Sequence, residues 1–256
     1  MNQPRASELV RLNVAPDGWL QGQWSHAGGD IAVLFVHGFV SVRYGEKSAA
    51  LEESCARRGW TFATFDLRGH GESSGTLRDL TGARLLGDLD AVANFLTQKG
   101  IRRLALVGSS MGGWASAWFS LRRPELVKCC AFIAPGFHFL TARWEKLAHG
   151  DRETWRREGI LRIKTPWGPE AELGYALVED APNFPHERLL KEYCAPGLIF
   201  HGLKDDVVPF SRSIAFIEQA ACSNLELRLY KDGDHRLVDR KDEMAESACL
   251  FFERWL

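Results

Sequence analysis

The run Ile31-Ala32-Val33-Leu34-Phe35-Val36 contains no polar position, and it limits the fold more than any other feature of the chain. A β-strand points successive side chains to opposite faces, so a strand that is apolar throughout needs cover on both sides. Further strand-like runs follow at Trp60–Phe65, Leu104–Val107, Val127–Ala134, Gly197–Phe200 and Leu225–Tyr230. Helical patterns lie between them. Leu85, Leu86, Leu89, Val92, Ala93 and Leu96 recur on one face and end at Gly100. Met111, Trp114, Ala115, Trp118 and Leu121 do the same before Pro124, and a third set runs from Met244 to Leu256. Such alternation predicts an α/β fold with a mostly parallel central sheet and helices on both faces. Leu9 to Val14 and Trp19 to Trp24 flank the turn Pro16-Asp17-Gly18 and read as an antiparallel lead-in.

One stretch breaks the alternation. Between Pro135 and Pro196 no doubly buried strand is found, and the bulky aromatics Phe137, Phe139, Trp144, Trp155 and Trp167 are scattered among many charges. A structureless loop of that length is improbable inside a compact domain. The expectation is a single domain over residues 1–256 with a lid or cap insertion at 136–195, built of short helices with a hairpin around Thr165-Pro166-Trp167-Gly168-Pro169.

Charge and composition remove several classes of function. Thirty-two basic and 33 acidic side chains give a formal charge of −1, without the basic excess of a nucleic-acid binder. No apolar stretch is long enough to span a membrane. The N-terminus, Met1-Asn2-Gln3-Pro4-Arg5, has neither an apolar core nor a cleavage site, and the six cysteines have no metal-ligand spacing. Reduced core thiols and a cytoplasmic address are expected.

Chemistry enters at Gly108-Ser109-Ser110-Met111-Gly112, which fits G-x-S-x-G. The five-residue string is weak by itself. Its setting is specific, because it follows the strand Leu104–Val107 and opens the helix from Met111. A turn that tight strains the serine backbone and leaves no room for flanking side chains, which accounts for the glycines on either side. Ser110 then stands at the positive end of a helix. A serine hydroxyl needs a base, and the base needs an acid to orient it.

In this topology the order is serine, acid, histidine. His26, His37 and His70 precede Ser110; His138, His149 and His186 fall in or beside the insertion; His201 ends a strand, and the strand before it, Val127–Ala134, ends with no carboxylate. His235, in the loop Asp232-Gly233-Asp234-His235 before the last helix, is the expected base. The acid should leave a strand end between the two. The loop His201-Gly202-Leu203-Lys204-Asp205-Asp206-Val207-Val208-Pro209 offers two, and Asp205 is chosen, with Asp206 expected to bond within the loop. The oxyanion needs two fixed N–H donors. Met111 supplies one and Phe39, after His37-Gly38, the other; His37 itself reads as a loop hydrogen bonder.

With these residues in place the chain resembles an α/β-hydrolase-fold serine hydrolase of the esterase and thioesterase type, from about Ile31 to the C-terminus. The resemblance rests on Val36-His37-Gly38-Phe39, Asp66-Leu67-Arg68-Gly69-His70-Gly71-Glu72-Ser73, Gly108 to Trp114, His201 to Pro209 and Asp234-His235-Arg236. At subgroup level the strings are similar to mitochondrial S-acyl-protein thioesterases that also cleave acyl glucuronides, although no transit peptide is evident. The resemblance implies hydrolysis of carboxylic esters or thioesters, with a small-molecule substrate and no metal or organic cofactor. Fold and triad are shared by many chemistries, so the natural substrate does not carry over. A carbon–carbon bond hydrolase of ring-cleavage products is the same-chemistry rival, and a non-catalytic hydrolase-like binding protein the rival from another class. Phe39, Phe137, Trp144, Trp167 and Val208 are expected to wall an apolar acyl slot under the lid, with about half of the lid aromatics forming its own small core. The oligomeric state is left open.

Overall fold

A computed structural model describes residues 7–14, 18–165 and 168–256. In chain order the strands are β1 (Glu8–Val14), β2 (Gly18–Ser25), β3 (Ile31–Val36), β4 (Thr61–Phe65), β5 (Arg103–Ser109), β6 (Val127–Ile133), β7 (Ile160–Thr165), β8 (Gly168–Gly174), β9 (Gly197–Gly202) and β10 (Leu225–Tyr230). The α-helices are α1 (Glu46–Arg57), α2 (Gly82–Gln98), α3 (Met111–Arg122), α4 (Phe139–Lys146), α5 (His149–Glu158), α6 (Ala176–Asp180), α7 (His186–Glu192), α8 (Ser211–Gln219) and α9 (Lys241–Phe252). Eight strands form one sheet in the order β1-β2-β4-β3-β5-β6-β9-β10. β1 and β2 pair antiparallel, β2 pairs antiparallel to β4, and every pair from β4 to β10 is parallel.

The unbroken apolar strands are explained by their two faces. Ala32, Leu34 and Val36 of β3 point into one core with α2 and α3, while Val33 and Phe35 point into a second core with α1 and α9. β5 repeats the division, with Leu104 and Leu106 on the first side and Ala105 and Val107 on the second. Each of the valine, leucine and phenylalanine side chains among these contributes roughly 1.5–3 kcal/mol by leaving water. β10 is different: it is an edge strand, and Leu229 stays exposed.

Helices α1 and α8 give no such pattern in the sequence. The buried face of α1 is made of Ser48, Ala50, Leu51, Ser54 and Cys55, mostly small residues, and α8 buries only Ser213 and Phe216. Between β6 and β9 lie α4, α5, the antiparallel pair β7–β8, α6 and α7. Trp144, Trp155 and Tyr175 cluster here, with ring centroids 5.6–6.1 Å apart. Trp155 is buried and donates its indole N–H to the Leu173 carbonyl at 3.2 Å. The region is tied down by Asp180, which accepts from the Ala83 N–H at 2.7 Å, and by Lys146, which donates to the Val207 carbonyl at 3.1 Å.

Five cysteines are buried free thiols and Cys194 is exposed. Among the described residues no helix is long and apolar enough to cross a membrane.

Candidate active site

β5 runs straight into α3, and Ser110 is the single residue between them. Its backbone sits at φ 52°, ψ −112°, a conformation that a residue with a Cβ avoids. The strain is held in place by its neighbours. The Ser110 N–H donates to the Ile133 carbonyl at 2.9 Å, and the Ser110 carbonyl accepts from Gly113 and Gly136. A Cβ on Gly108 would lie 2.3 Å from the Gly112 carbonyl oxygen, and one on Gly112 would lie 2.0 Å from that of Val36. Both contacts are with backbone, so neither position admits a side chain.

His235 and Asp205 come from the loops after β10 and β9. The two loops are laced together by backbone hydrogen bonds, Lys204 N–H to Gly233 at 2.9 Å and Leu203 N–H to Tyr230 at 2.9 Å. A Cβ on Gly202 would lie 2.1 Å from the Gly233 carbonyl oxygen, so the approach requires glycine. His235 Nε2 lies 3.1 Å from Ser110 Oγ, and His235 Nδ1 lies 2.8 Å from Asp205 Oδ2. The geometry therefore brings together the serine, histidine and aspartate chosen from the sequence.

The Asp205 carboxylate is wholly covered. Its Oδ1 accepts from the N–H groups of Val207 and Val208 at 2.9 and 2.8 Å. Its Oδ2 accepts from His235 and also from His201 Nε2 at 3.0 Å. Burial alone would raise its pKa, but the hydrogen bonds from His201 and His235 outweigh it and hold the carboxyl well below the usual carboxylate range. His201 is absent from the sequence reading as a site residue. Asp206 is exposed, and the loop N–H groups expected to engage it go to Asp205 instead.

The His37-Gly38-Phe39 loop packs on the elbow, where a Cβ on Gly38 would stand 3.4 Å from the Ser110 Cβ. Among the described residues the Phe39 N–H has no partner, and the Met111 N–H, at the first turn of α3, has no partner within the helix. His37 is a strut: its Nδ1–H donates to the Gly38 carbonyl at 2.8 Å and its Nε2 accepts the Leu67 N–H at 3.0 Å. Burial pushes its pKa down to about 4, so the ring is neutral. Next to it, the buried Asp66 accepts from the Arg43 N–H at 2.6 Å and the Glu72 N–H at 3.0 Å, and this shapes the loop around Gly69 and Gly71. Lys47 Nζ links the residue before Ser110 to the residue after His235, donating to Ser109 Oγ at 3.1 Å and the Arg236 carbonyl at 3.0 Å.

The expected slot residues divide. Phe39 packs its ring 5.6 Å from Phe139, an aromatic not chosen for the slot. Val208 lies in the acid loop, half-buried. Phe137 is instead fully buried, stacked on Phe216 at 3.9 Å and edge-on to Phe132 at 5.4 Å, so its ring is used in the core. Trp144 belongs to the aromatic cluster of the segment between β6 and β9, with the guanidinium groups of Arg152 and Arg156 over its ring. Trp167 lies outside the described residues. Among the described residues no group of three or more His, Cys, Asp or Glu side chains is placed to hold a metal.

A family profile described as the alpha/beta hydrolase fold matches residues 31–160. The mitochondrial palmitoyl-protein thioesterase ABHD10 of mouse is 28% identical over 215 residues, covering 82% of this chain and 70% of that one. The solved structure of alpha/beta hydrolase domain-containing protein 10 from mouse superposes with a TM-score of 0.80 at 26% identity, over 96% of this chain and 98% of that one. Est1E from Butyrivibrio proteoclasticus, solved with ferulic acid bound, shares the fold with a TM-score of 0.82 at 20% identity, over 96% and 98% of the two chains. The mitochondrial designation of the mouse thioesterase runs against the cytoplasmic address expected from the sequence.

Proposed function

The chain belongs to the α/β-hydrolase-fold family, and from that membership we propose that it hydrolyses carboxylic esters or thioesters of small-to-medium acyl groups through an acyl-enzyme on Ser110. The observation that carries the reading is the continuous hydrogen-bonded line from Ser110 Oγ to His235 at 3.1 Å and from His235 to Asp205 at 2.8 Å, ending on a strained serine. Relatives that act on thioesters support the substrate class.

In this mechanism Oγ attacks the acyl carbon while His235 Nε2 takes its proton. The tetrahedral oxyanion lies between the Phe39 and Met111 N–H groups, which are fixed before the charge develops and need no reorganisation. His235 then passes the proton to the departing alkoxide or thiolate. Water, deprotonated by the same nitrogen, attacks the acyl-enzyme and releases the acid and Ser110. Asp205 stays ionised throughout and keeps the proton of the resting imidazole on Nδ1, leaving Nε2 free to accept. The acyl chain lies against Phe39, Phe139 and Val208.

Turnover of a p-nitrophenyl ester series from acetate to palmitate, with a matched acyl thioester, tests the reading. Ser110→Ala should lower kcat by about 10⁴–10⁶ on esters and thioesters alike. Each added methylene should raise kcat/KM by roughly fourfold until the slot is full, with a fall at long chains. A flat profile, or a maximum at acetate, would remove the acyl slot from the account.

A further inference from the structure

His201 is the penultimate residue of β9, its side chain wholly covered, and its hydrogen bonds go to Ser213, Asp205 and Val208 and not to Ser110. A buried histidine in a core strand needs partners, and here each has a direction. Nε2 faces two oxygen acceptors, Asp205 Oδ2 at 3.0 Å and the Val208 carbonyl at 3.0 Å, so this nitrogen carries the proton. Nδ1 faces the hydroxyl of Ser213, on α8, at 2.8 Å. In the neutral ring Nδ1 is the acceptor and the Ser213 hydroxyl donates. The tautomer and the ring plane are thereby set by a strand, a helix and a loop at once.

The consequence falls on Asp205. A carboxylate has about four acceptor positions, and all four are used: two backbone N–H groups on Oδ1 and two imidazole N–H groups on Oδ2. With only His235 on Oδ2, the carboxylate could rock about its Cβ–Cγ bond on the two loop amides, and the loop could move with it. With His201 present, Oδ2 is held from the sheet side. We propose that His201 is a positioning residue for the base, fixing the Asp205 carboxylate in the one plane in which Oδ2 meets His235 Nδ1.

This inference rests on the acyl-hydrolase reading above and adds a fourth side chain to its line of hydrogen bonds. His201 never exchanges a proton with substrate. Its contribution is that Asp205 presents the same lone pair in the resting enzyme and when His235 becomes an imidazolium. A charge-assisted N–H to carboxylate bond is among the stronger ones in a protein interior, so its removal reaches kcat. His201 itself touches no substrate atom, and Val208 keeps its amide bond to Asp205, so KM moves little.

Three variants separate this from a packing role, with p-nitrophenyl butyrate as probe and the Ser110-dependent rate as the measured quantity. His201→Leu keeps volume and removes the donor; kcat should fall about 10- to 100-fold with KM within about twofold. His201→Gln restores an N–H at the position of Nε2 and should return kcat to within about threefold of wild type. Ser213→Ala releases Nδ1 and lets the ring turn, so kcat should fall about three- to tenfold. Should His201→Leu fail to fold, the other two decide: a wild-type kcat in Ser213→Ala, or a His201→Gln enzyme impaired by more than about tenfold, overturns the proposal. Equal rates for His201→Leu and His201→Gln, or a loss confined to KM, also overturn it. Turnover retained by Ser110→Ala would instead sink the acyl-hydrolase reading, whereas a wild-type His201→Leu beside an inactive Ser110→Ala sinks only the role of His201.

Discussion

Replacing Asp205 by asparagine changes one atom type and is predicted to cost far more activity than stability. Four donors converge on the carboxylate: the N–H groups of Val207 and Val208 on Oδ1, and those of His235 and His201 on Oδ2. An asparagine offers one oxygen and one NH₂. If the NH₂ faced the loop, two backbone N–H groups would lose their acceptor, at about 1–3 kcal/mol each, because an amide proton cannot move elsewhere. If it faces the rings, His235 can shift its proton to Nε2, and His201 keeps its Nε2 proton on the Val208 carbonyl. The second arrangement costs less, so the new side chain should adopt it. His235 then carries its proton on Nε2, aimed at Ser110, and can no longer accept the hydroxyl proton. The expected loss is about 10⁴ in kcat, with a fold that stays intact by circular dichroism and thermal melting. Asp206→Asn is the control: that side chain is exposed, and its loss should change kcat by less than about twofold. Steady-state rates on p-nitrophenyl butyrate measure both. A loss below about 100-fold in Asp205→Asn, or a larger loss in Asp206→Asn, would refute the reasoning.

Three further outcomes follow from particular contacts. Gly112→Ala places a Cβ 2.0 Å from the Val36 carbonyl oxygen, so β3 and the elbow must separate; both turnover and melting temperature should fall, and a variant active at the wild-type rate would contradict the packing. The Asp205 carboxyl is held below its ordinary value of 3.8, so its contribution to stability is complete above that pH and is lost as pH falls through the folded value. The stability gap between wild type and Asp205→Asn, measured by urea unfolding, should therefore begin to shrink as pH falls below about 4 and go on shrinking at lower pH; a gap that stays constant down to about pH 2 would mean the carboxylate is not specially stabilised. Phe139→Ala removes the ring beside Phe39 and should lower kcat/KM for hexanoate about three- to tenfold more than for acetate, which the ester series reads directly.

The elements that can be read in the sequence are those whose side chains advertise their environment. β3 and β5 bury both faces, so their apolar runs are continuous; α2 buries one broad stripe of large residues, and α3 is buried on every side from Met111 to Ser120. α1 is packed just as closely, yet through Ser48, Ser54, Ala50 and Cys55, small residues that carry no periodic signal. The elbow is legible because two glycines are forced by backbone crowding within five residues of sequence. The order of the triad along the chain then selects His235 and Asp205. That same ordering hides His201, because it discards a histidine that cannot be the base and says nothing of one that supports the acid. A signal for it exists: a histidine four residues before an aspartate, at the end of a strand covered on both faces, has few polar neighbours except that aspartate. The aromatics between β6 and β9 are harder. Phe137 and Phe139 are two residues apart, but one turns into the core against Phe216 and the other toward Phe39, a division set by tertiary packing and not by residue type.

The central claim is that Ser110 is the nucleophile and that every other group acts through it. Covalent labelling with a fluorophosphonate, followed by peptide mass spectrometry and parallel turnover, tests it most directly. One adduct is predicted, on the peptide that contains Ser110, formed in step with the loss of turnover and absent together with turnover in Ser110→Ala. An adduct on another residue, or an unlabelled Ser110→Ala protein that still turns over ester, would contradict it.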